Sequence, residues 1–379
     1  MSFDLIVFGK KLLRCRDNLH LSQTEVSVKI GISIPRLKKL EEGLEMPSGD
    51  EVLIFADFYK QDYQFFITND IKSAIDKVQI LYRKHGAEFS KQDRWIIQEF
   101  LYLCECEQQV FELTKFSELK FDFTPKGDYY KMHGIHAALE LRRMLNLKPD
   151  DLIIDIYGLF RKLGIHIFRR KLQNSSISGL FINHPRAGKC ILVNYDEDIY
   201  RQNFTVAHEV GHAIFDFKED INISFNNWDK HDLREIRANT FASNFLIPKE
   251  IMSKRVGIQW NKHVVINLAK QLKINIQPLI ISLMQEKLID ESTYYELKSI
   301  KIPMIDKVDP ELQNLSDKRY ESKSKLLEKG LSQFYVQACY RAYSDGLISS
   351  QRLAEMFLED EGGLRSLLSQ YNFYLSYEH

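Results

Sequence analysis

The sequence predicts a mainly α protein with a small β-sheet. Three observations predict this. Apolar residues recur at helical spacing through most of the 379 residues. Ser, Asn and Gly stand where helices of ordinary length would begin and end. Strand-like runs are confined to one stretch, 165–194. The length favours two or three domains, and we divide the chain into 1–68, 69–130, 131–295 and 296–379.

The first segment reads as short helices with tight turns. Ser22 is a good N-cap, with Glu25 closing a capping box. Gly31 ends that helix, Ser33 caps the next, and Pro35 sits in its first turn, where no N–H is needed. Gly43 ends it. Two short helices about a turn at Gly31–Ile32 have helix-turn-helix geometry. In such a unit the second helix enters the major groove, which makes Ser33, Ile34, Pro35 and Arg36 candidates for base edges. Gln23 can reach a phosphate or a base, and Lys38 and Lys39 can hold phosphates. Double-stranded DNA is thus an expected partner. Against it, residues 1–68 carry about as many acids as bases, and Ile34 and Pro35 supply no hydrogen-bond code. A protein-recognition or self-association module is the alternative.

Residues 71–118 read as a helical connector, and Phe121–Tyr130 as a linker. Helices are expected over about 135–145 and 151–163. Ile165–Phe168, Ser178–Ile182 and Cys190–Asn194 follow as three short strands separated by turn residues. Helices are expected next at 199–217 and 233–246, with a polar loop, Lys218–Lys230, between them. Residues 262–290 and 320–369 are helical again, joined by a Pro-containing linker at 301–316.

Net charge is zero, which removes any global electrostatic case for a nucleic-acid or membrane partner. Met1–Lys10 lacks the pattern of a signal peptide, and no apolar run approaches the roughly 18 residues of a membrane span. Cys15, Cys104, Cys106, Cys190 and Cys339 are scattered and form no CxxC, as expected of a reduced, cytoplasmic protein.

The chemistry concentrates in His208-Glu209-Val210-Gly211-His212. On a helix the two imidazoles, four residues apart, lie one above the other and can share one tetrahedral cation. Glu209 then points beside the cation, placed to take a proton from an activated water. Eleven histidines in the chain make a chance HExxH rare, about 0.02 occurrences. Such a site needs a third protein ligand. Glu235 on the following helix is the first candidate, with Asp216, His231 and Asp232 as competitors. Asn239, four residues beyond Glu235, can bond the outer nitrogen of a ligand histidine. His231 is also a candidate oxyanion donor. Two imidazoles and a carboxylate suit one Zn2+ per chain, with Mn2+ or Fe2+ as other ions the set accepts. The strand before the helix is a candidate for pairing with an extended substrate.

Phe204–His212, then Glu235–Ala242 with Leu246-Ile247-Pro248, resemble the two signatures of the ImmA/IrrE family of metallopeptidases. The resemblance covers about 135–290. It implies an α+β zincin-like, gluzincin-type metallopeptidase domain at 131–295, with Glu235 as third zinc ligand. It further implies a protein substrate: a helix-turn-helix repressor whose cleavage releases silenced genes. Leu21–Val26, Gly31–Ser33 and Leu37–Gly43 are similar to a Cro/repressor-type DNA-binding domain, which many relatives carry. The expected function is a regulatory zinc endopeptidase. The competing readings are a DNA-binding regulator with a sensory, non-cleaving metal domain, and a protease of general or foreign substrates. A homodimer is a further candidate assembly. Residues 296–379 read as a C-terminal helical region of unassigned role.

Overall fold

The computed structural model describes residues 3–69, 74–216, 221–225, 232–254 and 258–375. It is mainly helical, with one four-stranded mixed sheet.

Five helices build the N-terminal unit: α1 (Leu5–Asn18), α2 (Gln23–Ile30), α3 (Ile34–Glu41), α4 (Gly49–Tyr59) and α5 (Tyr63–Ile67). Capping boxes at Ser22/Glu25 and Ser48/Glu51 start α2 and α4. Gly31, at φ 74°, ends α2 in the left-handed conformation that glycine adopts without strain. Phe8, Leu12, Val26, Leu37, Leu40, Phe55 and Phe66 meet in one core.

Helices α6 (Ala74–His85) and α7 (Lys91–Thr114) come next. The start of α7 carries the N-terminal unit. Lys91 pairs with Glu25 at 2.9 Å, Arg94 donates to the Asn18 carbonyl at 3.0 Å, and Trp95 packs edge-on against Phe58.

Beyond α8 (Tyr130–Met144) and α9 (Ile156–Arg161) lie the strands β1 (His166–Arg170), β2 (Ile177–His184) and β3 (Gly188–Asn194). Helix α9 is shorter than the expected 151–163, because Asp155 caps it by accepting from the Gly158 N–H at 2.9 Å. After α10 (Ile199–Phe215), a fourth strand, β4 (Ile221–Phe225), adds to the sheet in the order β1-β3-β2-β4. Strand β3 is parallel to β1 and antiparallel to β2; β4 is antiparallel to β2. Strand β3 is therefore paired on both sides and has no free edge for a substrate, contrary to the expectation from sequence. Among the described residues β4 is paired on one side only.

Alternation along the strands buries both faces of the sheet. Ile167, Phe181, Ile191 and Val193 face a core shared with α8, α10 and α11 (Leu233–Leu246). Helices α12 (Lys249–Ser253), α13 (Lys262–Leu272), α14 (Ile276–Gln285) and α15 (Glu291–Lys298) follow, and α12 to α15 contribute to this core. Phe168, Leu180, Ile182 and Leu192 face the other core, built from α7 and the C-terminal helices. These are α16 (Asp317–Glu328), α17 (Gln333–Ser344), α18 (Ser350–Met356) and α19 (Glu361–Gln370). The residues read as connector and as C-terminal region thus pack on each other and cover one face of the sheet.

Candidate metal centre

Helix α10 starts at Asp198, whose carboxylate accepts from the Arg201 N–H at 3.0 Å. Val206, Val210 and Ala213 bury it against the sheet and α11. Two glycines set the neighbouring helices close. A Cβ on Gly211 would lie 3.0 Å from Ala238 Cα, and one on Gly134 of α8 would lie 2.7 Å from the Arg237 carbonyl oxygen. Helix α11 is therefore near enough for Glu235 to reach over α10.

His208 and His212 present their Nε2 atoms 3.0 Å apart. The Glu235 carboxylate lies 3.3 Å from His208 Nε2 and 3.2 Å from His212 Nε2. All three ligand atoms fall within 4.8 Å of one another. Behind them, His208 Nδ1 faces Asn239 Oδ1 at 3.1 Å, and His212 Nδ1 faces Asp216 Oδ2 at 2.8 Å. Each acceptor draws the imidazole proton to Nδ1, which leaves both Nε2 lone pairs directed into the same space. Lone pairs and a carboxylate at this separation repel unless positive charge lies among them, so the donor set fits a cation.

The side chains alone reflect that demand. Burial opposes charge on His212, yet the Asp216 and Glu235 carboxylates outweigh it and lift the imidazole to about 9. Burial also works against the Glu235 carboxylate, but His208 and His212 hold it well below the usual carboxylate range. Glu209 is fully buried, and burial raises its carboxyl above the ordinary value despite both histidines. Ser224 of β4 faces this carboxylate and lowers its pKa somewhat, but neither oxygen closes a hydrogen bond of good geometry among the described residues. Gly179 of β2 leaves them room: a Cβ there would lie 3.1 Å from Glu209 Oε1.

The structure brings together His208, Glu209, His212, Glu235 and Asn239 from the sequence-read set. Asp216 stands behind His212 and not beside the Nε2 atoms, so it is not placed as the third ligand. Arg237 clamps the other Asp216 oxygen and stacks over Phe215 at 4.5 Å. The sequence reading missed this Asp216–Arg237 support; the signal was the four-residue step from His212 to Asp216. Asp232 accepts from the Arg234 N–H at 2.8 Å and caps α11. His231 lies outside the described residues.

Residues 160–279 match the family model of the IrrE N-terminal-like domain. That stretch is similar to the IrrE N-terminal-like domain. Both histidines, Glu209 and Glu235 fall within this match. Residues 12–66 match a helix-turn-helix family model. No curated protein matches the chain.

The segment that matches the helix-turn-helix model places its candidate DNA residues unequally. Ser33, Ile34 and Pro35 are exposed at the start of α3, as are Lys38 and Lys39 along it. Arg36 is not presented outward. Its guanidinium donates to Glu51 at 2.9 and 2.7 Å, to the Met46 carbonyl at 2.8 Å, and to Glu45. These carboxylates raise its pKa further, Glu51 first. Gln23 donates to Glu41 at 2.7 Å, and Glu41 also pairs with Arg16. Lys39 pairs with Glu45 at 2.5 Å, and Lys38 lies 3.8 Å from Glu42. Arg36 and Gln23 thus brace the unit, and Ser33 and Lys38 are the more accessible of the set.

Proposed function

We propose that this chain is a zinc-dependent endopeptidase joined to a DNA-binding domain, and that it cleaves a helix-turn-helix transcriptional repressor. The observation that carries the reading is the convergence of His208, His212 and Glu235 beside a buried Glu209. The IrrE N-terminal-like match supports a peptidase, and the helix-turn-helix match supports a DNA partner. No helix among the described residues is long and apolar enough to cross a membrane.

His208, His212 and Glu235 would hold the ion, and Asn239 and Asp216 would fix the two rings. When bound, the zinc supplies Lewis acidity at the scissile carbonyl and at the attacking water. Glu209 takes the proton of that water on a carboxylate oxygen and delivers it to the leaving nitrogen. Burial favours the protonated form and so suits the second of these transfers. Strand β4 offers an extended peptide a backbone ladder beside Glu209.

The test is incubation of the zinc-loaded protein with a purified helix-turn-helix repressor, products being read by mass spectrometry. Wild type is expected to cut it at a defined bond. Glu209→Gln is expected to lose about 10²-fold or more of the rate while retaining metal. Equal cleavage by both proteins would remove Glu209 from the mechanism.

A further inference from the structure

A cavity of about 590 Å³ lies apart from the metal ligands, between α9, the first turn of α10 and the segment 306–313. Its walls include Ile167 and Leu272 of the core under α10 and Leu327 of α16. The segment that closes it is tied down on several sides. Lys307 pairs with Asp198 at 3.0 Å, Lys270 with Asp306 at 2.9 Å, and Arg169 with Asp309 and Glu311.

Two donors of the polar lining have no acceptor among the described residues. Tyr157 and Arg161 stand four residues apart on α9 and both line the cavity. The Tyr157 hydroxyl is buried and has no hydrogen-bond partner among the described residues. Arg161 is 5% exposed; its Nη2 donates to the Ile167 carbonyl at 2.7 Å, but its Nε makes no hydrogen bond. Glu107 pairs with the guanidinium through Oε1, 3.7 Å from that Nε and beyond hydrogen-bond distance, while its Oε2 faces His166 at 2.7 Å. Phe334 lies flat against the guanidinium, 4.5 Å from ring centre to Cζ. A buried donor left unmatched is destabilising, so this wall gains from an acceptor. The rest of the lining mixes apolar side chains, Ile156, Leu246 and Leu272 among them, with charged groups that pair with one another, Asp306 with Lys270 and Asp309 and Glu311 with Arg169. The apolar part has room for an apolar body.

We propose that this cavity binds a small monocarboxylate with an apolar body, its head accepting from the Tyr157 hydroxyl and the Arg161 Nε–H and its body lying along Ile167, Leu272 and Phe334. The site does not depend on the peptidase reading. Ile199 and Tyr200, in the first turn of the helix that carries His208, form part of its wall, and the Tyr200 hydroxyl donates to the Asp306 carbonyl at 3.3 Å. Occupancy therefore reaches the start of α10.

The test is calorimetric titration of the full, zinc-loaded chain with octanoate, and separately with octanol and inorganic phosphate. Octanoate is expected to bind saturably at one site per chain. Octanol and phosphate, which each lack one half of the ligand, are expected to bind at least about tenfold more weakly. Tyr157→Phe removes only the hydroxyl and is expected to weaken octanoate about tenfold, as is Arg161→Gln. Absence of saturable octanoate binding would overturn the proposal. So would octanol or phosphate binding as tightly as octanoate, or unchanged octanoate affinity in folded Tyr157→Phe, which would place the ligand elsewhere, including at the metal.

Discussion

Asp216 holds His212 from behind: its Oδ2 lies 2.8 Å from His212 Nδ1, while its Oδ1 takes the Arg237 guanidinium. One carboxylate thereby fixes the tautomer of a candidate ligand and ties the end of α10 to α11. Support of this kind typically contributes 10–100-fold to metal affinity. Asp216→Asn is expected to weaken zinc by roughly that factor in a chelator competition, with the fold retained. Unchanged affinity would mean that His212 does not depend on Asp216.

The helix-turn-helix separates two kinds of basic residue. Arg36 is occupied by Glu45, Glu51 and the Met46 carbonyl, whereas the Lys38 side chain is 63% exposed. Lys38→Ala is expected to weaken DNA binding and to lower the salt slope by about 1. Arg36→Ala is expected instead to lower the melting temperature of the N-terminal unit. Fluorescence anisotropy at two salt concentrations beside a thermal melt distinguishes them. A salt slope altered by Arg36→Ala and untouched by Lys38→Ala would reverse the assignment.

Much of the site was legible because it is local. The two histidines share one helix face by spacing alone, and the structure gives the second helix as Leu233–Leu246, the expected 233–246. What escaped the sequence depends on distant chain. Glu45 and Glu51 capture Arg36 from 9 and 15 residues away, and nothing in a short basic helix announces that. The alternation Ile221-Asn222-Ile223-Ser224-Phe225 is a strand pattern, but it sits in a polar stretch that reads as loop. Residues near 100 and near 340 share a core because both cover the same face of the sheet, which short-range patterning does not reveal.

Glu209 carries a pH signature in the metal-free protein. Burial raises its folded pKa above the ordinary carboxyl value, so the folded state binds more protons than the unfolded one between those two values. Its contribution to stability is therefore lost as pH rises through that window, starting from the ordinary value. Glu209→Gln removes the ionisation. Urea denaturation of the metal-free proteins is expected to show the variant gaining stability relative to wild type as pH rises above the ordinary carboxyl range. A stability difference that is flat with pH would contradict a buried, disfavoured Glu209 carboxylate.

The central claim is a metal centre with Glu235 as its third protein ligand. Elemental analysis of purified wild type beside Glu235→Ala tests it most directly. One zinc per chain is expected in wild type, with clear loss in the variant. Absence of metal from wild type, or full retention in the variant, would contradict it.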